Sequence, residues 1–300
     1  MAPPRRAHEV LLRITTIHEY LSSLSEVSSV TLIFNDQPCN DFSSLAQTID
    51  QSMPVLSRHG KLPVFPYMVP KSFQERVAPD HSVDVGICSS SLHWLDPASP
   101  GIGHQYLPSA TAAAPAAHRE LVSFLSLRAR EIRHGGRLIL GVAGKGDLNI
   151  EPALQCLSLA IDDLTTRGLI PCSAASTCRG PVYFRTELEL CQAVEAEGSW
   201  VITQQRDTAI PENGSEILDG NHNGPLGEAS FDTLCQSICS TIIGSAGNTI
   251  LTAVRKHADD VDESRLLKEL SVCFMDHFRR LGETRVGGHF YFLRLLRRGG

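Results

Sequence analysis

An α/β fold with a mostly parallel sheet is what this 300-residue sequence predicts, and three observations carry that expectation. Short β-branched runs alternate with longer segments of helical periodicity along much of the chain, and such alternation builds a sheet through crossover connections. A helical stretch from His118 to His134 runs through Gly135-Gly136 into the apolar run Arg137 to Val142, which is a helix, a cap and a strand in direct succession. Several strands stop at short polar segments, where ligands gather in doubly wound sheets.

The elements follow in order. Residues 9–24 place Val10, Leu11, Ile14, Ile17, Leu21 and Leu24 on one helical face. Val30 to Phe34 reads as a strand stopping at Asn35-Asp36, and Phe42 to Leu56 returns to helical spacing. Val64 to Val69 is a second strand, whose Pro66 and following Pro70 suit a sheet edge. Val83 to Cys88 is a third, opening into Ser89-Ser90-Ser91. Residues 97–117, rich in Pro, Ala, Gly and Ser, read as a surface loop. Residues 151–168 and 186–197 read as helices, Trp200 to Thr203 as a strand, and the polar stretch 207–229 as a long loop. Helices are expected over 230–244, 247–258 and 263–281, with a closing strand from Gly288 to Leu296.

Composition narrows the function classes. A hydrophobic content of 42% with 20% charged residues is that of an ordinary globular chain. The formal net charge of −6 and the short, terminal basic runs at Arg279-Arg280 and Arg294 to Arg298 argue against a nucleic-acid partner, which would need a clustered basic face. No stretch approaches the roughly 20 uninterrupted apolar residues of a membrane span, and Met1 to Arg6 lacks the apolar core of a secretory signal. Nine cysteines without a repeated short spacing read as reduced thiols of a cytoplasmic protein.

Individual residues leave alternatives open. Asp36 ends a strand, where an acidic residue can accept both hydroxyls of a ribose, although Asn-Asp is also a common turn. Phe73 could stack on a purine or fill a core. Trp94 offers an indole N–H that donates and never accepts. His93 is the available general base in its segment, or a satisfied structural histidine. The run Gly141 to Gly146 lacks the order of a phosphate-binding loop, and no Gly-x-Ser-x-Gly hydrolase elbow occurs.

Taken together, the segments are more specific. Asn35-Asp36-Gln37-Pro38-Cys39-Asn40-Asp41-Phe42 resembles the Asn-Asp-Leu-Pro-Gly-Asn-Asp-Phe signature of plant salicylate, jasmonate and caffeine-type methyltransferases, the SABATH family. Val69-Pro70-Lys71-Ser72-Phe73, with Arg76 and Pro79, is similar to that family's Val-Pro-Gly-Ser-Phe-Tyr-x-Arg-Leu-Phe-Pro run. Ser89-Ser90-Ser91-Leu92-His93-Trp94-Leu95 resembles its Ser-Ser-Tyr-Ser-Leu-His-Trp-Leu segment, and Gly135-Gly136-Arg137-Leu138 its Gly-Gly-Arg-Met. Pro181-Val182-Tyr183 and Val194 to Trp200 resemble later runs, in the same order and spacing.

The resemblance implies S-adenosylmethionine (SAM) as cofactor and a small-molecule carboxylic acid as acceptor. It implies a single domain over 1–300, with a Rossmann-like core over about 9–145 and a closing strand over 288–296. Helical cap elements and the last strands mix over about 151–285. It assigns Asp36 to the SAM ribose, Gln37 to the adenosyl group, Ser72 and Phe73 to the adenine, and Ser89 to the cofactor side. Trp94 matches the indole that holds the acceptor carboxylate, with His93, Ser90 and Tyr183 lining the same pocket. Many relatives pair, so a homodimer is compatible with it.

Three departures qualify the match. The family's leading Gln helix and the strand ending in a Gly-rich loop have no counterpart, and Met1 to Ala7 stand where the loop would be. Without that central first strand, neighbours ~4.8 Å from it on each side would face a gap of about 10 Å with unpaired edges. A truncated reading frame or a catalytically silent homologue are the rival readings, with heterocycle N-methylation as a further alternative. A metal-linked Asp-x-Phe-Asn falls on Ser176, Cys178 and Arg179, so no metal is expected. Ser90 replaces an aromatic residue of the acceptor pocket.

Overall fold

A computed structural model describes residues 27–59, 62–106, 110–146, 148, 150–211, 228–258, 260–283 and 286–299. The helix expected over 9–24 and most of the loop expected over 207–229 lie outside the described residues. The chain divides into two compact units, Met1–Val77 and Ala78–Gly300.

The smaller unit is one βαβ crossover. Strand β1 (Val30–Asp36) and strand β2 (Val64–Pro70) pair in parallel from Val30↔Val64 to Asp36↔Pro70, with helix α1 (Phe42–His59) between them. Asp41 starts that helix: its Oδ1 accepts the amides of Ser43 and Ser44 at 3.0 Å each. Oδ2 takes the Ser44 hydroxyl at 2.6 Å, and these bonds hold the Asp41 carboxyl below its ordinary value. Pro66 and Pro70 sit on an edge strand, as expected, because β2 has β1 as its one partner among the described strands.

The larger unit holds a four-stranded sheet in the order β3-β4-β6-β5, formed by β3 (Val83–Ser89), β4 (Ile132–Gly144), β5 (Trp200–Pro211) and β6 (Gly287–Arg297). β3 runs parallel to β4, while β6 runs antiparallel to both β4 and β5. Across the described chain two pairings are therefore parallel and two antiparallel. The described strands fall into two sheets.

Helices α2 (Ala110–Glu131) and α5 (Glu187–Glu197) pack on each other. Helices α3 (Glu151–Thr166), α6 (Glu228–Arg255) and α7 (Glu263–Leu281) build the main core with the four-residue helix α4 (Cys172–Ala175). In α6 the buried residues Leu234, Ile238, Ile242, Ala246, Ile250 and Val254 recur every four positions, a core stripe. That helix is also the one described helix long and apolar enough to cross a membrane, and half of its apolar window is buried inside the protein. All nine cysteines are free.

Four expectations need correction. Helix α2 starts at Ala110, eight residues before the expected His118, because Ala113, Ala116 and Ala117 are buried and alanine is the strongest helix former. Strand β4 begins at Ile132, where the helix turns directly into the sheet through Gly135 at φ 76°. A side chain on Gly136 would lie 2.8 Å from the Asp84 carbonyl, so that crossing requires glycine. Strand β5 runs on to Pro211 because its polar residues pair with β6 as far as Gly287. The helices expected over 230–244 and 247–258 are one, since Ala246 in the expected gap is buried in the core and Gly247 beside it faces Leu267 of α7.

Candidate active site

In the smaller unit, the carboxyl ends of β1 and β2 bring four of the expected site residues into one region. Asn35 donates to the carbonyls of Val69 at 3.0 Å and Lys71 at 2.7 Å, and the Lys71 amide donates to Asp36 O at 2.9 Å. These bonds tie the residue before Asp36 to the segment that carries Ser72 and Phe73. Asp36 is exposed; its Oδ1 accepts the Gln37 amide at 2.7 Å and its Oδ2 the Asn40 side chain at 2.6 Å. A carboxylate offers about four lone-pair positions, so both oxygens keep acceptor capacity for two further hydroxyls. Ser72 uses its hydroxyl to accept the Gln74 amide at 3.2 Å, and Phe73 is half-buried.

The larger unit holds the remaining candidates, and strand β3 delivers them. Ser89 ends that strand against Gly141 of β4. Ser90 follows at φ 54°, a left-handed conformation uncommon outside glycine, with its amide donating to Gly141 O at 2.8 Å. The chain is thereby turned into Leu92-His93-Trp94-Leu95. Trp94 and Val182 form a single antiparallel bridge. The Tyr183 amide donates to His93 O at 2.8 Å and the Leu95 amide to Pro181 O at 3.0 Å. Gly180 lets this pairing come close, since a Cβ there would lie 2.9 Å from Trp94 Cζ3. The structure thus brings His93, Trp94 and Tyr183 together, as the sequence order alone does not require.

Three neighbours escaped the sequence reading. The ring of Phe184 stacks on His93 with centroids 5.7 Å apart. Arg185, 2% exposed, donates from Nη1 to Leu92 O and from Nη2 to Ala117 O, the latter at 2.7 Å. Burial pushes its guanidinium down to about 10. Lys145 lies 5.4 Å over the Tyr183 ring. Phe184 also walls a cavity of about 320 Å³ at the exit of β4, together with Lys145, Glu151 and His289. His289 is buried, with Nε2 3.3 Å from Asp207.

Tyr183 is placed differently from a residue whose hydroxyl awaits a ligand. Its phenol donates to Glu189 Oε1 at 2.5 Å, and burial followed by that bond raises it to about 12. Glu189 in turn closes a capping box with Thr186 at the start of α5. The ring, not the hydroxyl, is what Tyr183 offers to its surroundings.

Where the metal-linked family residues would fall, the Arg179 guanidinium is engaged by protein groups. It donates to Ser158 Oγ at 2.9 Å, to Ala175 O at 2.8 Å and to Asp162 at 2.5 Å. Among the described residues no cluster of three or more metal-ligating side chains occurs.

A family model described as SAM-dependent carboxyl methyltransferase matches residues 9–274. A Fusarium methyltransferase, LUC1, is 33% identical over 174 residues, 55% of this chain and 46% of its own length. The Aspergillus aculeatus O-methyltransferase acrG is 27% identical, covering 79% of this chain and 67% of that protein. A benzoic acid/salicylic acid carboxyl methyltransferase of Petunia hybrida is 29% identical over 63% of this chain and 58% of its own. The chain spans about half the length of the first of these relatives. Among solved structures, a loganic acid methyltransferase with SAH superposes with a TM-score of 0.57 at 18% identity, over 98% of this chain and 93% of that one, a likeness of fold.

Proposed function

The chain belongs to the SAM-dependent carboxyl methyltransferase family, and from that premise we propose that it methylates the carboxylate of a small-molecule acid, with Trp94 holding the acceptor. The arrangement around Trp94 is the observation that carries this reading. A donor-only indole on a half-buried turn is fixed from two sides, by the Val182 bridge and by the close approach of Gly180. Such a donor suits an acceptor already bearing a negative charge.

The residues present suit SAM as well. Asp36 is an exposed strand-end carboxylate pre-oriented by Asn40, with acceptor capacity left for two ribose hydroxyls. Ser72 and Phe73 follow the carboxyl end of the neighbouring strand, tied to the end of β1 by the Lys71 amide on Asp36 O, which supports assigning them to the adenine. SAM supplies an electrophilic methyl on its sulfonium when bound.

The protein's own share is positioning. A carboxylic acid with pKa near ~4 is ionised at pH 7, so no side chain has to remove a proton. Holding the acceptor oxygen in line can contribute about 7–11 kcal/mol. Trp94 orients the carboxylate, while His93, its ring tilted against Trp94 and stacked on Phe184, shapes the pocket without moving a proton. The cytoplasmic setting belongs to the same proposal, and nine free thiols accord with it.

A catalytically silent homologue is the second reading. It is favoured by the division of the described strands into two sheets, with Val85 and Ile87 of β3 left exposed. The deciding experiment is incubation of the chain with radiolabelled SAM and a panel of aromatic and aliphatic acids, alongside calorimetric titration of SAM. Base-labile methyl esters are the expected product. Micromolar SAM binding without any ester would favour the silent reading, and labelling of a heterocyclic nitrogen would overturn the carboxylate assignment.

A further inference from the structure

The Leu92–Leu95 turn has to be held from outside, because its own strand ends at Ser89 and its backbone bonds run to a loop. Arg185 and Glu120 grip it on either side of His93 and Trp94. Arg185 Nη1 donates to Leu92 O. Beyond Trp94, Glu120 of α2 accepts the Asp96 amide at 3.2 Å and the Ser99 hydroxyl. The second Arg185 bond, to Ala117 O, ends on that same helix one turn before Glu120. The Arg185 carbonyl accepts the Lys145 amide at 2.9 Å, joining the turn to the exit of β4 as well.

The geometry points to Arg185 as a positioning residue, one that sets the Trp94 indole by clamping the Leu92 carbonyl to α2. This role rests on the acceptor reading of Trp94 for its consequence, although the clamp itself does not. A buried cation is an expensive way to satisfy two carbonyls. Its Nε has no hydrogen-bond partner, and its guanidinium is depressed by desolvation despite the nearby Glu120 and Glu189 carboxylates. An apolar side chain would fill the same space at lower cost, but it could not place Leu92 O and Ala117 O at a fixed separation. A planar guanidinium with two diverging donors can.

The protein has two tryptophans, which makes the test internal. Trp200 donates its indole N–H to Leu125 O of α2 at 3.2 Å and has no bond to the turn. In 15N-labelled protein the two indole signals are assigned with Trp94→Phe, then followed in Arg185→Met and Arg185→Lys. The expected result is that the methionine variant shifts or broadens the Trp94 signal and leaves Trp200 in place, with partial return in the lysine variant. An unmoved Trp94 signal in a folded variant overturns the clamp. Joint collapse of both signals in both variants also overturns it, since Arg185 would then serve the fold as a whole. If the methionine variant does not fold, the lysine variant decides alone.

Activity gives the second readout. The KM for the methylated acid should rise about tenfold in Arg185→Lys while the dissociation constant of SAM stays unchanged, the loss expected for one weakened charge-assisted bond. A wild-type chain that esterifies no acid refutes the proposed reaction, and the Trp94 signal still judges Arg185.

Discussion

Asp36 and Trp94 make opposite demands on their surroundings, and both sets of surroundings are visible residue by residue. Asp36 needs its carboxylate aimed and still able to accept, which Asn40 and the Gln37 amide provide from four residues of chain. Replacing Asp36 with alanine should therefore weaken SAM binding about a hundredfold, the loss of two charge-assisted bonds, and leave acceptor affinity in place. Calorimetry with each ligand checks this, and equal losses for both would contradict the ribose role. Trp94→Phe keeps an aromatic ring and removes the donor, so the acceptor KM should rise about tenfold with SAM affinity unchanged; kinetics with varied acid and varied SAM separate the two. Tyr183 carries a pH signature. Its folded value, raised to about 12, lies above the ordinary 10.0, so the phenol contributes stability that is whole below pH 10 and lost as pH rises through 12. Tyr106, raised further by burial, adds to the same loss. Tyr183→Phe should lose less stability than the wild type between pH 10 and 12, measured by denaturant unfolding across that range.

At the scale of elements, local signals and tertiary contacts divide the work. Helix α5 lies where the sequence places a helix, and the structure shows what bounds it: Thr186 and Glu189 form a capping box ahead of its apolar positions, and Gly198 at φ 81° ends it. Helix α7 is likewise bounded by local groups, with Asp262 accepting the Arg265 amide and Gly282 in the left-handed conformation. Thr186→Ala should cost about 1 kcal/mol, lowering the melting temperature by about 2–4 °C, because Glu189 and Tyr183 lose part of their shared network with the cap. Calorimetric melting reads it, and no change would show that the cap is redundant. Other elements were misjudged where packing overrode composition. The alanines of α2 looked like loop residues until their burial beneath Leu95 and Ile102 is seen. The break expected between residues 244 and 247 disappears once Ala246 is seen in the core and Gly247 against Leu267. Strand β5 looked polar and unstructured beyond Thr203, and its partner β6 is some 90 residues away in sequence. Phe184 and Arg185 had no motif to announce them, because their roles arise only from what lies opposite.

The whole chain contains two units of unequal substance. The larger encloses Leu138, Leu140 and Val142 of β4 almost completely, between partner strands on both sides. The described residues of the smaller form a two-stranded parallel sheet with one helix, and its strands expose Ile33, Phe65 and Tyr67, the last two by half or more. Two-stranded sheets are marginal in water, and local opening follows sparse burial. Amide hydrogens of β1 and β2 should therefore exchange at least about tenfold faster than those of β4, a difference of 1.4 kcal/mol or more in opening free energy. Exchange followed by mass spectrometry would show it, and equal protection would mean that the smaller unit is stabilised beyond what its own strands supply.

Family and the segments that carry the site were determined by the sequence alone, since they depend on short runs whose order along the chain is their information. Asn35 to Phe42 and Ser89 to Leu95 needed no partner to be read. Only the tertiary structure decided that Tyr183 gives its hydroxyl to Glu189, that Phe184 stacks on His93, and that Arg185 spans from the Leu92 carbonyl to α2. Each of those outcomes joins residues remote in sequence or chooses among several nearby partners. The choice is made by packing and desolvation, which act on the folded neighbourhood and leave no periodic trace in the chain.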